Sequence, residues 1–580
     1  MEKANPLGRK KPDRKSEAPS RGRQGALVLL FIVAAVFLFS NLGAKYLWQD
    51  EAVTAVLGAR LMKFGEPLAY DGVNLITMDH FAGEDASTVD QRTGDPKIAV
   101  QYYADHGDFK HDTAWIGQPW GQFLVAGVSL TLFGRNTVAA RLPFAAAAFL
   151  TVGLLYWFVR RQFKDPLLGW LAAAILVTNV FWVIHSRQCR YYALSGLFLL
   201  LTLIAFTRWQ RGRPWGGLLF VVTAWCWFQV DFGSFFPMLG ILLLTATWAG
   251  WPRIKRVLSV GLVLGITVAP WVWYYELGNR VKPSAAPWAD KFLLNLFHFN
   301  QYLIPLLMLL VAGVLLAVRW RTLDPIARLI LFVSLAMLLA ALVWVPAVAP
   351  YAFHRYIVHL APLAALCVAW VLSEVTAWII RHRPREEWRC LIAGSLVVFV
   401  VACPLLSNLL PAPLRQVVPG TSPLGLVIRP EWAVLYEDVF APRPDPNRLT
   451  VEALARVASP KDEILTNYED APLMFYTDFR IRGGIPCFRV EDSSRVPPRF
   501  LVYRRSVLFV HTAVFKREIM RYRWRQIRSD VPDVPWGNIP EPEFRMGVDP
   551  SSAPFILFAE NLGSAPSNQV PNRRHEEQQQ

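Results

Sequence analysis

The stretch "GALVLLFIVAAVFLFSNLGAKYLWQDEAVTA", residues 25–55, decides how the rest of the chain is read. It opens with an apolar run from Gly25 to Ala44, long enough as a helix to cross a bilayer core of roughly 30 Å. The tail ahead of it, 1–24, is basic and Pro-containing, with almost no large apolar residues. It is expected to be disordered and cytoplasmic. The run is too long for the apolar region of a cleaved signal peptide, and "LGA" is a poor cleavage site, so it reads as a retained signal anchor. Directly after it stand two carboxylates, Asp50 and Glu51, where the chain would be leaving the membrane. Read locally, Asp50 caps the helix "EAVTAVLGARLMKF" and Glu51 sits in its first turn, an arrangement worth about 0.3–2 kcal/mol. The same pair could be the working end of an enzyme, and the two roles are compatible.

Apolar runs recur through Leu409 in a chain of 580 residues that is 54% hydrophobic, with 23 Trp and 36 Phe. Candidate spans are 25–44, 138–158, 167–185, 191–207, 216–230, 233–250, 257–274, 301–318, 327–347, 356–379 and 391–409. The fold class is therefore a polytopic α-helical membrane protein with about eleven transmembrane helices. A net charge of +16 in a soluble chain would point to nucleic acid. Here the positive residues collect in alternate loops ("RRQFKDP", "RWQRGRPW", "WPRIKR", "RWRTLDPIAR", "RHRPREEWR"), which is the signature of cytoplasmic loops. The partner expected is the lipid bilayer and not nucleic acid. The six cysteines show no metal-ligand or disulfide spacing.

One apolar segment resists the count. If "QPWGQFLVAGVSLTLFG", from Gln118, were a crossing, every later basic loop would be inverted. It is expected to lie as a helix on the outer membrane surface, with a true short span as the alternative. The domain plan is then a cytoplasmic tail (1–24), a transmembrane domain (25–409) with a large first outer loop (45–137), a soluble outer-side α/β domain (410–565) and a disordered tail (566–580). Within the α/β part, "DEILTNYEDAPLMFYT" reads as a strand and a short helix, and "RFLVYRRSVLFVHTAVF" as strand material.

Charges at membrane depth are costly and point to function. On this topology Asp50 and Glu51 share the outer face with Arg141, with Arg187 and Arg190 of "HSRQCRYYA", and with His354 and Arg355 of "FHRYIVHLAP". Arg280 and Lys282 lie in an outer loop, and Lys110, His111 and Asp112 in the first. A carboxylate pair among scattered cations suits a lipid-linked phosphate at the interface. Guanidinium groups pair with phosphate oxygens and stabilise charge on a phosphate leaving group, while a carboxylate takes a proton from an attacking hydroxyl. A polyprenyl monophosphate leaves well enough that no cofactor is required, with a divalent metal left open. The bland alternatives are a helix cap for Asp50, interfacial snorkelling for Arg187 and Arg190, carbonyl capping for Arg141, a structural His354, and a solvated loop for Lys110, His111 and Asp112.

The order of these features resembles the GT-C glycosyltransferases, in particular the protein O-mannosyltransferase and lipid A aminoarabinose transferase group, over roughly residues 25–409. The carrying residues are "WQDEAVTA"; "QPWGQFLVAGVSLTLFGRNTVAARLPFA", matched at Pro119, Phe133, Gly134, Arg141 and Pro143; "HSRQCRYY"; and "RYIVHLAP". The resemblance implies that Asp50 is the catalytic carboxylate engaging the acceptor hydroxyl, with Glu51 assisting. It implies that Arg141, Arg187, Arg190 and Arg355, with His354, sit near the donor phosphate or brace the site. The donor implied is a polyprenyl-phosphate-linked sugar, transferred with inversion to a lipid, glycan or protein acceptor. The chain departs from the group at Gln118, which stands where the group has His or Lys; Lys110 and His111 are the nearby residues that could contact acceptor or donor instead.

The resulting expectation is a multi-pass glycosyltransferase of the inner membrane, N-terminus cytoplasmic and C-terminal domain outside. Two other classes compete with it. A lipid or sugar transporter or flippase would show broken helices in paired repeats around a midplane site, and no repeat is evident. A non-catalytic lipid-binding subunit would use the carboxylate pair only as a helix start.

Overall fold

The computed structural model describes residues 21–76, 109–110, 112–247, 251–279, 287–349, 353–380, 391–398, 431–440, 445–482, 497–505, 519–534, 538 and 553–564. The expectations for residues 1–20, His111, Arg280, Lys282, the 399–430 segment and the 566–580 tail lie outside these residues.

The fold is mostly helical. The first half carries α1 (Arg21–Phe39), α2 (Gln49–Phe64), α3 (Gly121–Phe133), α4 (Thr137–Phe163), α5 (Pro166–Thr178), α6 (Val180–Ser186), α7 (Tyr192–Gln210) and α8 (Gly216–Phe228). There follow α9 (Phe232–Thr247), α10 (Trp251–Tyr274), α11 (Trp288–His298), α12 (Leu306–Arg319), α13 (Pro325–Val348) and α14 (Ala361–Ile380). α1 begins inside the expected tail and ends at Phe39, short of Ala44, because Asn41 takes a left-handed conformation (φ 54°) that stops the helix.

Hydropathy predicts about eleven spans. Among the described residues five helices are long and apolar enough to cross a membrane, or seven if each of two bent pairs is one span. This is a polytopic membrane protein, but apolar content alone does not register bends and helix ends. α5 and α6 meet at 66°. Asn179 makes that break: its Oδ1 accepts the Trp182 N–H at 2.8 Å and starts α6, while its Nδ2 donates to the Tyr302 carbonyl at 3.2 Å. The segment through α11 meets α12 at 83°, just ahead of Pro305. α8 and α9, of 13 and 16 residues, are about 20 and 24 Å long, less than a bilayer core.

α2, which carries the two carboxylates, lies on α3 with almost no space between the backbones. A Cβ on Gly58 would meet the Phe123 carbonyl at 2.7 Å, and one on Gly127 would run into Gly58. Glycines facing each other are what allow this approach. α3 has 13 residues and so reaches only about 20 Å.

The C-terminal part is a small α/β unit: α15 (Glu431–Phe440), α16 (Pro446–Ala455), β1 (Glu463–Thr466), α17 (Asp470–Tyr476), β2 (Arg480–Arg482), β3 (Phe500–Tyr503), β4 (Tyr522–Ile527) and β5 (Leu557–Ser564). Its five-stranded sheet has the order β2-β1-β3-β5-β4. β1 pairs in parallel with β2 and β3, and β5 runs antiparallel between β3 and β4. Every residue of β1 is buried, as expected of a strand covered on both faces.

This unit grips the chain just ahead of α2. The Tyr46 and Tyr476 rings stack at 3.7 Å. The Tyr46 N–H donates to Asp445 Oδ2 at 2.6 Å, and the Leu47 N–H to the Tyr476 hydroxyl at 3.0 Å. Asn538 and Arg448 donate to the carbonyls of Tyr46 and Gly43 at 3.1 and 2.9 Å. The backbone leading to Asp50 is thus held from the far end of the sequence.

Candidate active site

α2 starts at Gln49, earlier than its apolar pattern predicts. The cap position is therefore Trp48, which makes no side-chain cap bond. Asp50 stands within the first turn, where an anion is favourable, but it is not the cap that a local reading makes it.

The two adjacent carboxylates have different environments. Glu51 is fully buried. Arg141 Nε donates to Glu51 Oε1 at 2.8 Å and Nη2 to Oε2 at 2.6 Å, a two-pronged pair. The Cys189 N–H completes it, donating to Oε1 at 2.7 Å. Arg141 also donates to the carbonyls of Leu42 and Lys45, at 2.9 and 3.0 Å, closing the turn between α1 and α2. Glu51 is thus built into the scaffold and not presented to an opening.

Asp50 faces the other way, its side chain 14% exposed. Arg190 Nη2 and Arg355 Nη1 approach the same oxygen, Oδ2, at 3.3 and 3.5 Å. Arg190 is also held by the Asp50 carbonyl and the Thr54 hydroxyl, at 3.3 and 3.4 Å. Arg355 lies over the Phe353 and Trp48 rings, at 4.5 and 5.5 Å, contacts that orient a guanidinium without neutralising it. Two guanidinium groups thus converge on one carboxylate oxygen.

The remaining expected residues disperse. Arg187 caps α1, donating to the carbonyls of Phe37 and Ser40 at 2.5 Å each. His354 is buried against Phe181, His185, His298 and Tyr302, with ring centroids 5.4–5.5 Å away. Lys110 sits 3.8 Å over the Tyr274 ring. Gln118 accepts from Gln122 at 3.2 Å.

Sequence reasoning missed the C-terminal contribution. Asn447 and Asp470 meet the segment 47–49, and Glu469 is bonded to Asn447 behind it. The "YEDAP" motif was visible only as a helix start; nothing in its spacing ties it to a residue four hundred positions earlier. Among the described residues no group of three or more His, Cys, Asp or Glu side chains is placed to hold a metal ion.

No protein-family model matches the sequence, and comparison with curated proteins finds no match. Solved structures do match. ArnT from Cupriavidus metallidurans bound to undecaprenyl phosphate aligns over 95% of this chain and 100% of its own, with TM-score 0.54 and 14% identity. The apo form of that protein aligns over 80% of this chain and 86% of its own (TM-score 0.47, 16% identity). The Archaeoglobus fulgidus oligosaccharyltransferase tethered to an acceptor peptide aligns over 80% and 64% (TM-score 0.42, 11% identity). Scores this low in the last two add nothing to the fold assignment. The chain has the fold of the GT-C glycosyltransferases that its motifs resemble, matched to ArnT over nearly its whole length.

Proposed function

We propose that the chain is an inner-membrane glycosyltransferase. It moves a sugar from a polyprenyl-phosphate-linked donor to an extracytoplasmic acceptor and inverts the anomeric centre. The observation that carries this reading is the Asp50 carboxylate held between the Arg190 and Arg355 guanidinium groups, cations of the kind that bind phosphate oxygens. The likeness of fold to a protein solved with undecaprenyl phosphate supports the donor class.

The distribution of charge along the helices supports an orientation. Arg141 lies near the start of α4 and Arg160 and Arg161 near its end, in a helix of 27 residues about 40 Å long. Arg190 precedes α7, and Arg208 and Arg211 lie at or just beyond its end. Asp50 is therefore at the bundle end opposite these basic loops. If those loops are cytoplasmic, the site faces outward, the C-terminal α/β unit lies on the same side, and the N-terminus is inside.

Chemically, the donor phosphate brings negative charge to Arg190 and Arg355. As the guanidinium groups turn to its oxygens, Asp50 loses its partners and becomes the stronger proton acceptor. Asp50 takes the proton of the acceptor hydroxyl. The acceptor oxygen bonds to the anomeric carbon as the bond from that carbon to the phosphate oxygen breaks, and the electron pair leaves with the polyprenyl phosphate. The arginines stabilise the charge developing there. One displacement inverts the centre. Glu51, Arg141 and Arg187 brace the turn that presents Asp50.

The test uses the full chain in lipid nanodiscs with a panel of undecaprenyl-phosphate-linked sugars and envelope lipid extract. The readout is undecaprenyl phosphate released. Asp50→Asn is expected to lose release while remaining folded; full release by that variant would sink the assignment.

A further inference from the structure

The C-terminal unit brings to Asp50 a carboxylate that the chemistry above does not use. Glu469 and Asp470, both buried, stand at the start of α17. Glu469 has φ +61°, a left-handed conformation unusual for glutamate and kept only where its surroundings enforce it. It occupies the cap position of α17 yet makes no side-chain cap bond. Asn or Gly would fit this backbone at lower cost, and Asp or Ser would cap the helix. Local structure therefore does not account for a glutamate here.

Its side chain is bonded instead to Asn447, a residue that holds the segment carrying Asp50. Asn447 Nδ2 donates both to Glu469 Oε2 and to the Leu47 carbonyl, at 3.0 Å each. Gln49, the neighbour of Asp50, brackets the same helix start. Its amide donates to Asp470 Oδ1, and its Oε1 accepts the Ala471 N–H at 3.2 Å. Positions 47 and 49 are thus each tied to the 469–471 turn, and Asp50 follows directly.

The charged groups facing Glu469 are Asp50 from α2, Asp470 beside it, and Arg504 beyond β3. Arg504 is itself bonded to Asp533 at 2.6 Å. Burial pushes the Glu469 carboxyl up to about 7; Arg504 and Asn447 oppose this, and Asp470 and Asp50 add to it. Glu469 therefore exchanges its proton near neutrality, within the field of Asp50.

Resting on the reading of Asp50 as proton acceptor, we propose that Glu469 is a positioning residue of the site. Through Asn447 and the 47–50 backbone it holds Asp50 in place, and its negative charge strengthens Asp50 as a base. The ionised form opposes the pull of Arg190 and Arg355 on Asp50, so turnover rises as Glu469 loses its proton.

The experiment measures undecaprenyl phosphate release by the full chain in nanodiscs between about pH 5.5 and 8.5, with binding of undecaprenyl phosphate followed by tryptophan fluorescence. Wild type should show a break near pH 7, and Asp50→Asn no release at any pH. Glu469→Gln should bind undecaprenyl phosphate normally and lose the break, with turnover down about three- to tenfold above pH 7 and little changed below pH 6. Glu469→Asp should restore a break. A Glu469→Gln profile that superimposes on wild type, or a uniform loss at all pH without rescue by Glu469→Asp, overturns the proposal. Activity in Asp50→Asn instead overturns the reading of the site on which it rests. Should Glu469→Gln not fold, Asn447→Leu cuts the tie while keeping the carboxyl; a break that stays in place there also overturns the proposal.

Discussion

Replacing Arg141 with alanine isolates what the buried pair does. The substitution leaves the Glu51 carboxylate fully buried, with the Cys189 N–H as its remaining donor among the bonds described above. It also removes the donors to the Leu42 and Lys45 carbonyls that close the turn into α2. Breaking a buried ion pair by removing one partner costs about 3–5 kcal/mol, because the other charge is stranded out of water. The cost should appear locally, as easier opening of residues 42–55. Hydrogen exchange followed by mass spectrometry in nanodiscs would read it: protection of that segment should fall by at least about two orders of magnitude. Arg141→Lys should lie between, since an ammonium keeps the charge but not the two-pronged geometry. The double variant Glu51→Leu with Arg141→Leu should recover much of the loss, because neither charge is then stranded. Wild-type protection in Arg141→Ala, or a double variant worse than both singles together, would refute the reasoning.

Other outcomes are expected elsewhere. Arg355→Ala should weaken binding of undecaprenyl phosphate about tenfold with little change in thermal unfolding, since both side chains of its contact with Asp50 are partly exposed; the measurement is a fluorescence titration. Gly127→Leu should displace α3 from α2 and cost about 1–3 kcal/mol or more, read as lost thermal stability together with lost release, because backbone occupies the space a side chain needs. Burial raises the Glu469 carboxyl from 4.5 to about 7, so the folded state holds the proton more tightly than the unfolded one. Its stabilising contribution, about 3 kcal/mol, is complete below pH 4.5 and lost as pH rises through about 7. Denaturant unfolding of Glu469→Gln should be correspondingly less sensitive to pH over that window, and a wild-type slope in the variant would count against it.

Much of the architecture was legible because it depends on local composition. Apolar runs of membrane length and basic loops in alternation identify a polytopic chain without any long-range information. They could not reveal the break at Asn179, which depends on a bond to the distant Tyr302 carbonyl, nor the true start of α2. The carboxylate pair was legible as a pair. The division of labour within it was not: consecutive helical residues point about 100° apart, so the neighbours decide which one is buried.

The sequence alone determined that this is a multi-span membrane chain with acidic and basic residues grouped at particular helix ends, because hydropathy and charge act within short windows. Only the tertiary structure decided that Glu51 is locked by Arg141 while Asp50 meets Arg190 and Arg355. The same holds for Asn447 and Asp470, which reach the 47–49 segment from the other end of the chain, and for Glu469, bonded to Asn447 behind them. Those pairings join residues tens to hundreds of positions apart, and no local pattern specifies which distant charge a carboxylate will meet.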